Sequence, residues 1–238
     1  MYTITPLPFY LARRAILRAR MAGYVARARR VCDFGCGDGE HLRYFADQHP
    51  DTRWTGVDLS PDMLALARKA CPEAAFFLPF EDFGGDYDLI YVVAVFAHVT
   101  DDDLTGIIEN LVERLGSDGR LILFEQVAPY PVQGAGYNRR TVDGYRQLFA
   151  YHDLELEQAV LCRFRFHQWF ERHVAKRVYA MMRGCDSDAE RRLKANRSGL
   201  FRLLSRFFVA LSVRREWPPG SGFGNAWMVF RRRGKAHG

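Results

Sequence analysis

A glycine-rich turn between a strand-like and a helix-like segment is the feature that most constrains the fold. The run reads Val31-Cys32-Asp33-Phe34-Gly35-Cys36-Gly37-Asp38-Gly39. Glycines permit positive φ angles and let the backbone approach a ligand closely, and the free amides of the following helix start can meet a carboxylate or phosphate. This pattern is typical of a strand-to-helix turn in an α/β sheet, although a turn without a ligand also uses glycine.

Strand-like and helix-like segments alternate through the next hundred residues, which predicts a parallel sheet built from βαβ units. Strands are predicted near 30–35, 53–58, 75–78, 87–94 and 120–127, with helices near 39–48, 61–71 and 102–115. A Pro/Gly-rich connection at 130–136, a helix at 139–151, a sixth strand at 154–162 and a last strand at 225–231 follow. The predicted fold is α/β, with a doubly wound, seven-stranded, mostly parallel sheet.

A carboxylate stands at the end of the second predicted strand, about twenty residues after the glycine turn. The segment reads Val57-Asp58-Leu59-Ser60, and Asp58 is placed to accept hydrogen bonds from ribose hydroxyls at the carboxyl edge of the sheet. Pro61 fits the first turn of the next helix. The alternative for Asp58 is a helix cap, for which Ser60 is the better candidate.

These two elements together resemble the class I S-adenosylmethionine-dependent methyltransferases. The family's acid and Gly-x-Gly-x-Gly pattern match Asp33, Gly35, Gly37 and Gly39, and its ribose-binding acid matches Asp58. The resemblance implies S-adenosyl-L-methionine as the cofactor, with Asp33 facing its ammonium group directly or through water. Dinucleotide binding is disfavoured because its loop has the spacing Gly-x-Gly-x-x-Gly.

The resemblance covers roughly residues 30–127 and implies further cofactor contacts. These are Cys36 in the turn, Leu59 after the ribose acid, Phe80 and Glu81 after the third strand, and Val93 in the fourth. Pro79 occupies the usual place of an adenine-binding acid. We therefore expect adenine contact from the Phe80 backbone and Glu81, with Asp82 as the alternative.

Two candidate catalytic residues lie at the carboxyl ends of the fourth and fifth predicted strands, the edge at which open α/β sheets bind ligands. Tyr87-Asp88-Leu89-Ile90, an apolar run and His98-Val99 resemble the family's fourth strand and the turn after it. His98 is the best candidate base, and its alternative is to order this turn. Glu125 is a candidate base or substrate ligand, with a capping or salt-bridge role as the alternative.

Candidate substrate-binding residues are Tyr137, Arg139 and Arg140, which follow the Pro/Gly-rich loop and open the predicted helix. Arginines at a helix N-terminus oppose the helix dipole, so their placement favours an anion-binding role over a structural one. Solvated surface charge is the alternative.

We expect one domain over residues 1–238. Its parts are a basic N-terminal helix at 1–29, a cofactor-binding core at 30–162, a helical insert at 163–218, and the last strand with a tail at 219–238. Apolar residues recur at helical spacing within the insert, which can pack on the core, bind a partner or lie on a membrane.

Charge is segregated along the chain. Residues 1–30 carry seven Arg and no acid, residues 31–130 carry 19 acidic against 6 basic side chains, and residues 131–238 carry 21 basic against 9 acidic ones. Basic flanks indicate an anionic partner such as a phosphorylated substrate, a membrane surface or nucleic acid, or else solvated helix faces. Nucleic acid is disfavoured because the sequence shows no aromatic-rich recognition motif.

The cysteines and apolar runs bear on the compartment. Five cysteines lack paired metal-ligand spacing, so no metal is assigned, and their odd number argues against a disulfide framework. Arginines interrupt the N-terminal apolar residues, and no run approaches the ~20 residues of a membrane span. A cytoplasmic protein, soluble or peripheral to a membrane, is expected.

The functional prediction is methylation at oxygen of a small-molecule or glycan-like acceptor. One alternative is methylation of a phosphate or carboxylate on an anionic glycan or lipid. Another is a catalytically inactive, cofactor-binding regulator whose basic flanks bind nucleic acid or membrane. The oligomeric state is left open.

Overall fold

The computed structural model describes residues 7–134, 137–162, 216–218 and 222–233, with the single residues 173, 199 and 203. The helices are α1 (Leu7–Val25), α2 (Glu40–Ala46), α3 (Pro61–Ala70), α4 (Asp101–Arg114) and α5 (Val142–Ala150), and Phe96–His98 forms a 3-10 turn. The strands are β1 (Arg30–Phe34), β2 (Arg53–Val57), β3 (Ala75–Phe77), β4 (Tyr87–Val93), β5 (Leu115–Val127), β6 (Val132–Gly134), β7 (Tyr137–Arg139), β8 (Leu154–Cys162), β9 (Glu216–Trp217) and β10 (Gly224–Arg232).

The main sheet has the strand order β3-β2-β1-β4-β5-β10-β8-β9. Strands β3 to β5 pair in parallel, and β10 runs antiparallel to β5. The predicted doubly wound, seven-stranded, mostly parallel sheet is confirmed, and the two-residue β9 extends it. The strand order reverses between β1 and β4, and ligands of such sheets bind at the carboxyl ends of the strands beside this reversal.

Burial on the central strands explains why they form the middle of the sheet. Strand β4 buries Leu89–Val92 without alternation, which is typical of a parallel strand covered on both faces. Helix α4 contributes Leu104, Ile108 and Leu111 to the same core at helical spacing. The hydrophobic pattern thereby fixes the positions of the loops that leave these strands.

The helix predicted to begin at Arg139 begins instead at Val142, so the placement of two arginines at its N-terminus is wrong. Thr141 caps the helix, since its Oγ1 accepts a hydrogen bond from the Gly144 amide at 2.8 Å. The residues before it form the antiparallel hairpin β6–β7, and Arg140 makes an isolated bridge with Val127. The Pro/Gly-rich connection is therefore partly regular.

The chain divides into two compact units, Met1–Arg20 with Cys162–Glu216, and Met21–Leu161 with Trp217–Gly238. The insert predicted at 163–218 lies outside the described residues apart from 173, 199, 203 and 216–218. Trp217 lies in β9. Within the part of the chain that the structure describes, no helix combines the length and apolarity needed to span a membrane.

Candidate active site

The glycine turn after β1 is shaped by its neighbours. Gly35 has φ +82°, and a Cβ there would lie 2.1 Å from Cγ2 of Val95, so only glycine fits. The amides of Gly35 and Cys36 donate to the Val57 carbonyl at 2.7 and 3.0 Å. Gly37 has φ +55° and no atom within 4 Å of its missing Cβ. Open space beside the backbone is what a closely approaching ligand requires.

Asp58 joins the end of β2 to this turn. Its Oδ2 accepts a hydrogen bond from the Gly37 amide at 2.8 Å, and its Oδ1 accepts one from the Ser60 amide at 2.9 Å. A carboxylate has about four lone-pair sites, so two remain for hydroxyl donors. Ser60 caps α3 as predicted, with its hydroxyl accepting from the Met63 amide.

Asp33 is a buried carboxylate in β1, at the base of the turn. Its side chain is 2% exposed and accepts a hydrogen bond from the Tyr91 hydroxyl of β4 at 2.9 Å. Burial raises the pKa of Asp33 to about 7, the Tyr91 hydrogen bond opposes the rise, and the nearby Asp58 charge adds to it. A cation brought next to Asp33 would favour its ionised form.

A cavity of about 500 Å³ lies at the same edge of the sheet, lined in part by Leu59, Pro79 and His98. The Leu59 side chain is 75% exposed although it is apolar, and His98 is exposed on the 3-10 turn. The structure therefore places His98, the predicted base, and Leu59, which follows Asp58, at one cavity. An exposed apolar side chain beside a cavity is suited to contact a flat ring.

The other predicted cofactor residues have different environments. Phe80 is 78% exposed, and the Glu81 carboxylate accepts a hydrogen bond from the Leu78 amide at 2.7 Å, which closes the turn after β3. Cys36 is buried, which raises the pKa of its thiol. Val93 is half-buried at the end of β4. Glu81 thus has a turn-forming contact besides the adenine contact expected of it.

Glu125 is completely buried in β5. Its Oε1 accepts hydrogen bonds from the amides of Val95 and Phe96, at 2.7 and 3.0 Å, in the turn after β4. Of the two roles considered for Glu125, these contacts match the capping role. The preceding Ala94 has φ +56°, an uncommon angle for a residue with a Cβ.

Arg140, expected to bind substrate, donates to protein acceptors. Its Nη1 bonds the Phe96 carbonyl at 2.7 Å, its Nη2 bonds the Val99 carbonyl at 3.0 Å, and its Nε bonds Oδ1 of Asp101 at 2.8 Å. The side chain is 11% exposed. The Arg140 guanidinium thus donates its hydrogen bonds to the protein, whereas substrate binding would need those donors.

Arg139 lies in a different environment from Arg140. Its guanidinium stands over the ring of Tyr137, 5.1 Å from the centroid, and Tyr137 is 38% exposed. Between them, the Asn138 amide donates to the Val99 carbonyl at 3.2 Å. Because side chains alternate along a strand, Tyr137 and Arg139 project from the opposite face of β7. The two predicted substrate residues thus share a face beside the turn of residues 94–99, which is called the His98 turn.

Three residues of this edge were missed by sequence reasoning. Tyr91 carried a signal, because a tyrosine hydroxyl inside an apolar strand needs a buried partner. Val95 and Asn138 carried none, since their contacts with Gly35 and the Val99 carbonyl depend on how distant loops meet.

The described residues fit S-adenosyl-L-methionine, which the sequence resemblance implies. Asp33 supplies a buried carboxylate for an ammonium group, Asp58 supplies acceptor sites for ribose hydroxyls, and Gly37 leaves space for close approach. The cavity beside Leu59 has room for a ring system.

Comparisons with known proteins relate this chain to methyltransferases. The model of the family described as "Methyltransferase domain" matches residues 31–119. The malonyl-[acyl-carrier protein] O-methyltransferase of Acetivibrio thermocellus is 33% identical over 96 residues, which are 38% of this chain and 33% of the relative. The trans-aconitate 2-methyltransferase of Delftia acidovorans is 44% identical over 54 residues, 23% of this chain and 20% of the relative. The chain therefore matches a third or less of the length of these two curated relatives.

A solved structure extends the likeness of fold to most of the chain. It is the O-methyltransferase from a trans-AT PKS multienzyme of Brevibacillus brevis in complex with S-adenosyl-L-homocysteine, with a TM-score of 0.58 and 18% identity. The match covers 94% of this chain and 76% of that chain. Residues 31–119 thus match a methyltransferase domain, and the chain has the fold of the class I S-adenosyl-L-methionine-dependent methyltransferases.

Proposed function

We propose that this protein transfers a methyl group from S-adenosyl-L-methionine to an oxygen of a small-molecule acceptor, and that the favoured acceptor oxygen belongs to a carboxylate. The observation that carries the acceptor class is Arg139, whose guanidinium stacks on the exposed Tyr137 ring beside the His98 turn. The names of the two curated relatives, one acting on malonyl-[acyl-carrier protein] and one on trans-aconitate, support the same class.

The cofactor-binding part of the proposal relies on three groups. Asp33 would pair with the ammonium, the Gly35–Gly37 backbone would flank the ligand, and Asp58 would accept the ribose hydroxyls. S-adenosyl-L-methionine supplies a methyl group on a sulfonium sulfur, and the sulfur keeps the bonding electron pair when the methyl leaves. The protein's task is then mainly to place the acceptor oxygen in line with the methyl carbon.

A carboxylate acceptor reaches the site already ionised, so its methylation needs no base. It needs a cation that holds one oxygen while the other reacts, and a planar guanidinium does this with directed hydrogen bonds. The Arg139 guanidinium carbon lies over the Tyr137 ring, a cation–π contact that holds the group while its N–H donors can bind a ligand. Arg140 does not share this task because it binds backbone carbonyls.

A hydroxyl acceptor is the second candidate, favoured by the exposed His98 at the cavity. A hydroxyl must lose its proton as the methyl arrives, and a histidine imidazole at the cavity is suited to take it. This version requires His98 for turnover, whereas the carboxylate version does not.

The test measures transfer of labelled methyl from S-adenosyl-L-methionine to trans-aconitate, to a phenol and to an amino sugar. We expect trans-aconitate to be methylated. We also expect Arg139→Ala to raise the KM for it by about tenfold or more, because a hydrogen bond to a charged group is worth about 1.5–3 kcal/mol. The affinity for S-adenosyl-L-homocysteine should be unchanged.

Arg146→Ala is the matched control, since Arg146 is an exposed arginine of α5 paired with Asp143. It removes the same charge from the same region and should leave the KM unchanged. Transfer to the phenol alone, lost in His98→Gln, would replace the carboxylate version by the hydroxyl version. Binding of S-adenosyl-L-homocysteine without transfer to any of the three probes would favour the inactive regulator.

A further inference from the structure

The His98 turn, residues 94–99, is held from its amide side by a buried carboxylate. Two consecutive amides, those of Val95 and Phe96, donate to the same oxygen of Glu125. Glu125 reaches them from the neighbouring strand β5, whose Phe124 carbonyl accepts the Ala94 amide at 3.1 Å. Converging amide bonds of this kind stabilise a left-handed residue such as Ala94.

The same turn is held from its carbonyl side by Arg140. The guanidinium binds the carbonyls of Phe96 and Val99 and is itself paired with Asp101, the first residue of α4. An anion at the amides and a cation at the carbonyls complement the dipoles of one short helical turn. The turn therefore has a charged partner at each end, and the two partners come from different elements.

The His98 turn also touches the cofactor side of the site. Cγ2 of Val95 occupies the place that a side chain at position 35 would need, so the turn packs directly on the glycine loop. A shift of the Val95 backbone would open or close the space above Gly35. Glu125 acts on that backbone through two hydrogen bonds.

We propose that Glu125 and Arg140 are positioning residues which fix the His98 turn against Gly35, so that the turn orders the cofactor site and presents His98 at the cavity. The inference rests on the proposed function and deepens it, because it assigns to these two residues roles other than base and substrate ligand. Neither residue then needs to touch the reacting atoms.

Conservative variants separate positioning from proton transfer at Glu125. The amide oxygen of Glu125→Gln can accept the same two backbone hydrogen bonds, but a glutamine cannot act as a base. Glu125→Ala removes the acceptor and leaves two amides unpaired in a buried place. A positioning role predicts that Ala weakens cofactor binding and loosens the turn and that Gln restores both, whereas a base role predicts that neither variant changes cofactor binding or the turn.

The experiment combines calorimetric titration of S-adenosyl-L-homocysteine with hydrogen exchange of the peptide that spans the His98 turn. We expect Glu125→Ala to weaken binding by about tenfold or more and to speed amide exchange in the turn. Glu125→Gln should stay within about threefold of the wild type, as expected when the neutral acceptor retains both bonds. Glu155→Gln, which removes a carboxylate from a surface ion pair with Arg231, is the control and should change neither readout.

Arg140→Ala provides an independent test should Glu125→Ala fail to fold. It should speed exchange of the same peptide, while Arg146→Ala should not. Unchanged exchange in Arg140→Ala, unchanged binding by a folded Glu125→Ala, or equal weakening of binding by Gln and Ala at position 125 would overturn the inference. Both readouts are independent of turnover, so an absence of methyl transfer would refute the proposed function and leave the positioning roles decided by exchange and binding.

Discussion

Asp33 is the residue whose chemistry responds most directly to pH. Its pKa is raised to about 7 mainly by burial, so at pH 6 the site without ligand holds a neutral acid. An ammonium ligand pairs with the ionised form, and binding near pH 6 must therefore release a proton. We expect the affinity for S-adenosyl-L-homocysteine, measured by calorimetry, to rise about tenfold between pH 6 and pH 8 and to level off above pH 7.

Two variants isolate this effect. Asp33→Asn should weaken binding and remove most of the pH dependence between pH 6 and 8. Tyr91→Phe removes the hydroxyl that stabilises the carboxylate, so the rise in affinity should move to higher pH. A wild-type affinity that stays constant over this range would contradict the assignment of Asp33 to the ammonium.

The raised pKa of Asp33 also makes the free energy of unfolding depend on pH. In the unfolded chain Asp33 ionises near 3.8, whereas in the folded protein it keeps its proton up to about 7. The folded state therefore binds more protons over this interval, and the contribution of Asp33 to the free energy of unfolding falls as pH rises through it. An ammonium group bound next to Asp33 would oppose this loss of stability, because it favours the ionised carboxylate.

Among single residues, the sequence pattern predicted Asp33, Gly35, Gly37 and Asp58 as cofactor-binding residues, because each occupies a fixed distance from a strand end. It could not separate Arg140 from Arg139, because the sequence does not show that the Arg140 guanidinium binds backbone carbonyls. Only the tertiary contacts distinguish it from Arg139.

Among the elements, α5 and the hairpin before it set the position of Tyr137 and Arg139, the residues proposed to bind the methyl acceptor. The Thr141 hydroxyl caps α5 and fixes the point at which the chain changes from β7 to helix. We expect Thr141→Ala to lower the free energy of unfolding by about 1 kcal/mol, measured by urea denaturation.

Thr141→Ser keeps the capping oxygen and should restore most of the stability, since serine caps helices as well as threonine does. An equal loss in both variants would show that the threonine methyl group, and not the cap, is responsible.

The long elements were predictable, and the short ones were not. Continuous apolar residues predict strand β4, and periodic apolar residues predict helix α4. Strands β6 and β7 have three residues each, too few to establish a period, and β7 is tied to the rest of the unit by Asn138 and Arg140. The helix was therefore predicted to begin three residues too early.

The sheet brings distant parts of the chain to one edge of the molecule. The reversal of strand order between β1 and β4 places the loops after β1, β2 and β4 side by side, although β1 ends at Phe34 and β4 ends at Val93. The alternation of strands and helices was sufficient to predict this convergence. The atomic contacts inside it, such as Val95 on Gly35, required the structure.

The central claim is that this edge binds the methyl donor. Calorimetric titration of S-adenosyl-L-homocysteine into the wild type and into Asp58→Ala tests it most directly, with Glu155→Ala as a surface control. We predict micromolar binding by the wild type and the control, as is ordinary for such ligands. The Asp58 variant should bind at least about tenfold more weakly, because hydrogen bonds to a charged acceptor are lost. Absence of binding by a folded wild type, or equal binding by wild type and Asp58→Ala, would contradict the account.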